Sequence, residues 1–596
     1  MANWMLRQCS IDIVPIAEEL NIDPVIAQLL YVRGHKTSDE MRSFLNAEVN
    51  ELPSCFRFKD MNKAIKLVFE AIAADKKIAV FGDYDVDGIM STVILCKVLR
   101  AFGGDIMYYI PQREQEGYGL NNGAIQSLVD SGISLIVTCD NGISALEQVA
   151  FARSLNVDVI IIDHHDVQFD LDNPQQELLP CATAIVNPKQ KDCPYPFKAY
   201  CAGGLAYRFA EAMCFGAGDS GVQLGENIWI SIKEELLLLA SLATVCDIVD
   251  LKEDNRTIVK QGLAAFPDCR NLGLRTLIAA CGMTPEGIST YSIGYAIGPC
   301  INASGRLEIA NIAAELFLTE DLTEAADLTE KLLQLNNSRK TLTSQGIDFV
   351  LNDIYLHDNY KDDKILVIYH PEIHPSISGI VAGKVKEKYY KPTVILAGDK
   401  DTVKGSCRSV EGYNIFHALL KCRDLLEAFG GHPMAAGLSI KKDLIAALRE
   451  RLNLECEVDE FIQTIYIDKQ LNIYNASLSL VQQMQAMEPF GKSNSRPLFA
   501  DKNIFVRRAF LLGQNKRVLK LNCSKQGNNV IVNIISFNDG DKFRDSVISH
   551  YGDAVWQELL QGKGLGIPMD IIYSLEINNY NNMVSEQLRL IDFRLS

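Results

Sequence analysis

Between Gly82 and Gly88 the chain reads GDYDVDG, which sets Asp83, Asp85 and Asp87 within five consecutive residues. Carboxylates this close resist ionising together unless a cation neutralises them, and a divalent ion with oxygen ligands is the simplest resolution. A solvated acidic turn is the plain alternative. Two later stretches repeat the design: the run 135–140, LIVTCD, ends in Asp140, and the run 157–163, VDVIIID, ends in Asp163 with His164 and His165 directly behind it. Another acid, Asp247, with Asp250 close by, follows the apolar stretch Ile228–Val245. A lone aspartate at a strand end is usually a turn or a helix cap. Recurrence in one structural context points instead to one site.

Positioning such a site requires strands that end together. The run from Ile78 to Phe81 is short and continuously apolar, a helix-like segment spans Ile89 to Phe102, and strand and helix patterns then alternate. Continuous apolar strands alternating with helices predict an α/β fold with a parallel sheet covered on both faces, and in such sheets ligands sit at the carboxyl ends of the strands. The acids therefore converge on one edge beside the His pair. Oxygen donors with one or two imidazoles suit Mn²⁺ or Mg²⁺ better than a structural zinc, which calls for thiolates. Two such ions, about 3.5–4 Å apart, would clamp the attacking and leaving oxygens of a phosphodiester.

The strings GDYDVDG at 82–88, CDNGIS at 139–144 and DHH at 163–165, with Asp247, resemble the DHH phosphoesterase superfamily. Within it they are similar to the RecJ family of single-strand-specific DNA exonucleases, over about Arg33 to the C-terminus. The resemblance implies an N-terminal helical segment (1–75), a parallel-sheet DHH catalytic domain (76–318), a connecting helix (319–357), an α/β DHH-associated substrate-binding domain (358–468) and a C-terminal OB-like β-barrel that binds nucleic acid (469–596). It implies 5′–3′ hydrolysis of single-stranded DNA to nucleotides, in repair and recombination. Asp83, Asp85, Asp87, Asp140, His164 and Asp247 are the implied metal ligands. His165, Asp163 and Arg306 are the implied catalytic set, with His165 at the scissile phosphate or leaving group.

Several loops supply candidate substrate contacts. IPQREQEGYG at 110–119 offers Arg113 on a stretch that follows a strand at the metal edge. GPCINASGRL at 298–307 offers Asn302 and Arg306 in a run of small residues that would let a phosphate approach, with Cys300 where the family often has Arg. In the second lobe, GSCRS at 405–409 offers Ser406, Arg408 and Ser409, and FGGHPMAAG at 429–437 offers Gly430, Gly431 and His432. Glycines let a backbone reach phosphate oxygens and Arg can hold them bidentately. Two lobes facing across a cleft would admit only a narrow, flexible strand.

The 596 residues suggest three or four domains, and 48% hydrophobic content is ample for several cores. The 16 cysteines form no CxxC pair, and neither a leader nor a membrane span is read from the sequence, so a reduced, cytoplasmic protein, a monomer without a membrane partner, is expected. A net charge of −17 argues against a polyanionic partner only if basic residues are not segregated. They are: between Phe490 and Lys525 nine lysines and arginines face one acid. That window contains Arg507, Arg508, Lys516, Arg517 and Lys520 among strand-like segments 503–510, 518–523 and 529–537, interleaved with phenylalanines, the composition of a platform for single-stranded nucleic acid. Individual phenylalanines are expected in the barrel core, and the cations on its face.

A single-strand-binding protein and a helicase are candidate partners. Two alternatives stand beside the exonuclease. A DHH phosphodiesterase of short oligonucleotides or cyclic dinucleotides would leave the basic barrel idle. A non-catalytic replication factor on a decayed scaffold would have lost motif acids, and all are in place.

Overall fold

The computed structural model describes residues 2–595 apart from 114, 171, 172, 174, 217–224, 358, 359, 514, 529, 565, 581 and 582. By its contacts the chain divides into two compact units, residues 48–463 and residues 1–47 with 464–596. In the first, five strands form a parallel sheet: β1 (Lys77–Phe81), β2 (Ile106–Tyr109), β3 (Ile133–Cys139), β4 (Asp158–Ile162) and β5 (Ala184–Val186), in the order β2-β1-β3-β4-β5. Ile78 to Phe81 and Val159 to Ile162 are buried without alternation, because helices cover both faces. Neighbouring β1, β3 and β4 therefore end side by side, each running into a motif acid.

Helix α1 (Val86–Ala101) starts within the acidic turn itself. Asp85 caps it, its carboxylate accepting from the Asp87 and Gly88 amides at 2.9 and 3.1 Å. Gly88 is required by close approach: a Cβ there would lie 2.6 Å from the Asp83 carbonyl oxygen. The apolar sides of α1 are buried between the sheet and helices α2 (Ala202–Gly216) and α3 (Gly225–Cys246), so the turn before it is fixed by packing. Helix α4 (Gly298–Leu307) covers the acidic turn from another side, and α5 (Leu322–Leu356) is the expected connecting helix. The small residues of GPCINASGRL lie on α4, not in a phosphate-binding loop. A Cβ on Gly305 would strike the Tyr84 carbonyl at 2.3 Å, so those residues serve helix packing.

The second lobe is a mixed sheet of β6 (Leu366–His370), β7 (Thr393–Ala397), β8 (Thr402–Arg408), β9 (Ala428–His432) and β10 (Ala435–Lys441), in the order β9-β10-β8-β7-β6. Only β6 and β7 are parallel, joined through the helix Ser378–Tyr389.

The second unit is a barrel of β11 (Phe499–Leu512), β12 (Val518–Lys525), β13 (Val532–Ser536), β14 (Ile567–Tyr580) and β15 (Met583–Leu595), closed by pairing of β11 with β14. Phe499 fills its core against Tyr573. The expected strand 529–537 is shorter in the structure, and residue 529 lies outside the described residues.

The N-terminal segment divides between the units. Helix Met61–Ala73 packs within the unit 48–463, whereas the helices before Ala47 bury Ile26, Leu29, Leu30 and Met41 in one core with Leu480 and Met484. Strand Asn3–Leu6 pairs in parallel with Thr464–Ile467, and Arg33 meets Asp468 at 2.9 Å. Deleting residues 464–596 alone would thus strip an apolar face, and that fragment is expected to aggregate. The fragment 48–463 is expected to remain monodisperse by light scattering, to hydrolyse short oligonucleotides, and to bind long single strands more weakly than the full chain. Among the described residues, no helix is long and apolar enough to cross a membrane.

Candidate metal centre

The three strand ends bring the predicted acids into one buried cluster. Asp83, Asp87, Asp140 and Asp163 are each at most 3% exposed. Ligand atoms of Asp83, Asp85 and Asp140 lie within 4.8 Å of one another, as do those of Asp87, His164 and Asp247, and those of Asp140, Asp163, His164 and His165. Nε2 of His164 is 3.1 Å from Asp140, 3.7 Å from Asp87 and 3.9 Å from Asp247, so one imidazole joins acids from three segments.

Burial, then the charge of Asp85, drives the Asp83 carboxyl well above its ordinary range. The same causes push Asp87 up to about 7, even though its oxygens accept from the Ala202 and Gly203 amides at 2.7 Å. Asp140 is raised by burial and by Asp87, Asp85 and Asp83. Burial and the neighbouring His165 lower His164 to about 3, which leaves it a neutral ligand. One Asp83 oxygen is buried with no hydrogen-bond partner. The nearby thiols of Cys139, Cys201 and Cys246 are pushed up by burial and stay protonated. An orphaned oxygen, mutually repelling acids and one neutral imidazole fit hard divalent cations such as Mn²⁺ or Mg²⁺.

Asp163 stands apart in its bonding. Its carboxylate accepts from the His164 and His165 amides at 2.7 and 3.1 Å, from the Ile143 amide at 3.0 Å, and sits 2.8 Å from His165 Nδ1. Burial would raise it, yet the His165 charge and these bonds hold it well below the usual carboxylate range. His165 is disfavoured as a cation by burial but is raised to about 9, foremost by Asp163. Asp163 thus fixes the ring through Nδ1, and the Tyr118 hydroxyl lies 3.4 Å from its Nε2.

Two residues of the singled-out stretches 110–119 and 139–144 take supporting roles that the sequence did not assign. Asn141 Nδ2 donates to the Gly82 and Cys139 carbonyls at 3.1 and 2.9 Å, tying the ends of β1 and β3 together. Tyr118, in the 110–119 stretch, donates to the Asp140 carbonyl at 2.7 Å and meets the His165 ring edge-on. Asp140 itself adopts φ +63°, a left-handed conformation that Asp tolerates better than bulky residues.

Beside the acids lies a cluster of guanidiniums. Arg113 covers the Tyr84 ring at 5.0 Å, and Arg306 donates to the Ser376 carbonyl at 2.8 Å. Arg306 is lowered to about 10 by burial and then by Arg113, Arg339 and Arg408. Arg408 bonds Ser406 at 3.1 Å and the Cys407 carbonyl at 2.8 Å. Arg339 lies in the connecting helix, which from the sequence reads as a connector and not as a site. Asn336 holds it, and Asn336 also donates to the Cys300 sulfur, so a cation stands near the position where the family's arginine is replaced. Arg113, Arg306, Arg339 and Arg408 thus lie close enough to repel one another.

Other expected residues are placed differently. Ser409 is buried and its hydroxyl donates to the Tyr413 carbonyl, within its own turn. Gly430, Gly431 and His432 lie on edge strand β9, with His432 3.9 Å from Asp166, just past the His pair. Gly431 has φ +143°, and a Cβ there would lie 2.5 Å from the Ala435 carbonyl, which only glycine avoids. Asn302 is half-buried on α4. On the barrel, Arg507 lies over Phe505 at 5.3 Å and Arg508 over Phe510 at 4.6 Å, so these phenylalanines pair with cations outside the core. Lys516, Arg517 and Lys520 lie on or just before β12.

Residues 77–244 match the DHH family N-terminal domain, 362–457 the DHHA1 domain and 467–592 the RecJ OB domain. The single-stranded-DNA-specific exonuclease RecJ of Bacillus subtilis (strain 168) is 33% identical over 600 residues, covering 100% of this chain and 71% of that protein. The chain belongs to the RecJ family. The RecJ of Escherichia coli K12 is 31% identical over 532 residues, 87% of this chain and 89% of that one. The crystal structure of RecJ in complex with Mn²⁺ from Thermus thermophilus superposes with a TM-score of 0.79 at 25% identity, covering 99% of this chain and 79% of that one. The RecJ fold thus extends through both units.

Proposed function

We propose that the chain is a metal-dependent exonuclease that hydrolyses single-stranded DNA from the 5′ end and releases nucleotides. The observation that carries this reading is the convergence of Asp83, Asp85, Asp87, Asp140, His164 and Asp247 on one edge, beside the guanidinium cluster of Arg113, Arg306, Arg339 and Arg408. Those six residues would hold Mn²⁺ or Mg²⁺, as two ions sharing the cluster. A bound pair supplies Lewis-acid stabilisation of the scissile phosphate and lowers the pKa of the attacking water.

The chain's own residues do the rest. His165, aligned by Asp163, presents Nε2 as a hydrogen-bond donor to a phosphate oxygen. Arg306 and Arg408 bind the strand's terminal phosphate, and the Phe–Arg pairs of the barrel bind single-stranded nucleic acid. The activity belongs to repair and recombination, and a single-strand-binding protein and a helicase would supply the strand. The monomeric state and the cytoplasmic setting are part of the same proposal. Neither alternative reading is favoured by a feature of this chain.

The deciding experiment is a time course with single-stranded DNA labelled at either end, with Mn²⁺ or chelator, beside a blunt duplex. Immediate release of labelled mononucleotide from the 5′-labelled strand alone, abolished by chelator, is expected. Release from the 3′ label first, or equal cutting of the duplex, overturns the proposal. Arg408→Ala is expected to raise KM for a 5′-phosphorylated strand ~10-fold or more, about what one lost charge-assisted contact costs. KM for a strand without that phosphate should change little.

A further inference from the structure

Tyr291 and Tyr295 stack on each other, ring centroids 4.7 Å apart and 27° from parallel, while 70% and 72% exposed. They lie four residues apart, so one helical face presents both. Their backbone includes a π-helical turn, Ile293–Ile297, that buries Ile293 and Ile297 and leads into α4. Such turns recur at functional sites.

The turn packs against the last turn of α3. Cys246 Sγ approaches the Ile293 carbonyl at 4.0 Å, and a Cβ on Gly294 would lie 4.0 Å from Val245. The next residue along the chain is Asp247, in the metal cluster. Ile248 follows, 66% exposed and at φ +56°, a strained conformation for a β-branched residue and one that concentrates at functional sites. The stacked tyrosines and the exposed Ile248 therefore border the helix end that delivers Asp247 to the cluster. Phosphates have no reason to bind there, whereas any nucleobase has a planar face to stack.

We propose that Tyr291 and Tyr295 form a stacking platform for a base of the single strand flanking the scissile phosphodiester. The inference rests on the nuclease reading for what occupies the cleft, and adds how bases, not phosphates, are held there. Prestacked rings present a fixed surface and lose little freedom on binding.

The test uses the full chain, its Tyr291→Ala/Tyr295→Ala double variant and the corresponding Phe/Phe variant. Fluorescence anisotropy in chelator compares a labelled oligothymidylate with an abasic strand of equal length. For the Ala/Ala variant the preference for the base-bearing strand is expected to fall at least ~5-fold, the low end of one stacked base, with abasic affinity unchanged. The Phe/Phe variant should retain the wild-type preference. An unchanged preference in Ala/Ala, or an equal loss on both strands, overturns the platform. Hydrolysis by the wild type is followed in parallel with Mn²⁺. Failure there overturns the nuclease reading, and the ratio still decides the platform.

Discussion

Asp140→Asn is expected to lower Mn²⁺-dependent hydrolysis by on the order of 10³-fold while raising the melting temperature of the metal-free protein. The two effects have one cause. Asp140 is buried at 3% exposure, and its carboxyl is raised by burial and by Asp87, Asp85 and Asp83. A group whose folded-state pKa lies above its unfolded value destabilises the fold at pH values above the unfolded one, where the unfolded chain is ionised. An amide of the same shape removes that repulsion and can still bond His164 Nε2, now 3.1 Å from Asp140. In the wild type a cation offsets the repulsion, so Mn²⁺ at 100 times its Kd should add about 2.7 kcal/mol of stability. Differential scanning fluorimetry with and without Mn²⁺ separates the two cases. A variant that keeps both the Mn²⁺-induced shift and turnover would remove Asp140 from the metal centre.

The acids were legible because each ends a run of apolar residues buried on both sheet faces, a pattern that fixes both the strand and the turn after it. Their convergence on one edge follows from a parallel sheet, which alternating strand and helix patterns imply, and the side-by-side order β1-β3-β4 is what the structure adds. What the sequence hid was long-range or two-purpose. Nothing local in Asn3–Leu6 says that its partner is Thr464–Ile467, more than 400 residues away, so the N-terminal helices were not read as part of the barrel's unit. Arg339 occupies a long helix that reads as a connector, and its role emerges only from the crowding of Arg306. The small residues of α4 suggest a loop open to phosphate, but the same smallness lets a helix pack against the Tyr84 backbone. Ser409 looks like the companion of Arg408, yet its hydroxyl is used by its own turn. The phenylalanines were expected in the barrel core, and Phe499 is there, but register shifts at 501–504 and 506–508 break the alternation and leave Phe505 and Phe510 half-buried beneath arginines.

Asp163→Asn should be more damaging to the fold than any metal-ligand substitution and nearly as damaging to the reaction. The residue is fully buried and accepts three backbone amides as well as holding His165 Nδ1 at 2.8 Å. An amide offers one acceptor oxygen. In one orientation its NH₂ meets the Ile143 amide, in the other the amides of His164 and His165, and either leaves buried donors unpaired. The expected cost is about 3–5 kcal/mol of stability. Because the Asp163 carboxyl is depressed in the fold, its contribution is complete above the ordinary carboxylate range and is lost as pH falls through and below it. The gap in stability between wild type and variant should accordingly narrow in acid. His165→Ala provides the contrast: it removes the proposed phosphate contact but leaves the three backbone bonds to Asp163 intact. Its melting temperature should fall, because Asp163 loses its imidazolium partner, but by less than that of Asp163→Asn, while turnover falls ~10²-fold or more. Equal destabilisation by the two substitutions would mean that Asp163 acts on the fold only through His165, and the backbone clamp at the end of β4 would not be what positions the ring.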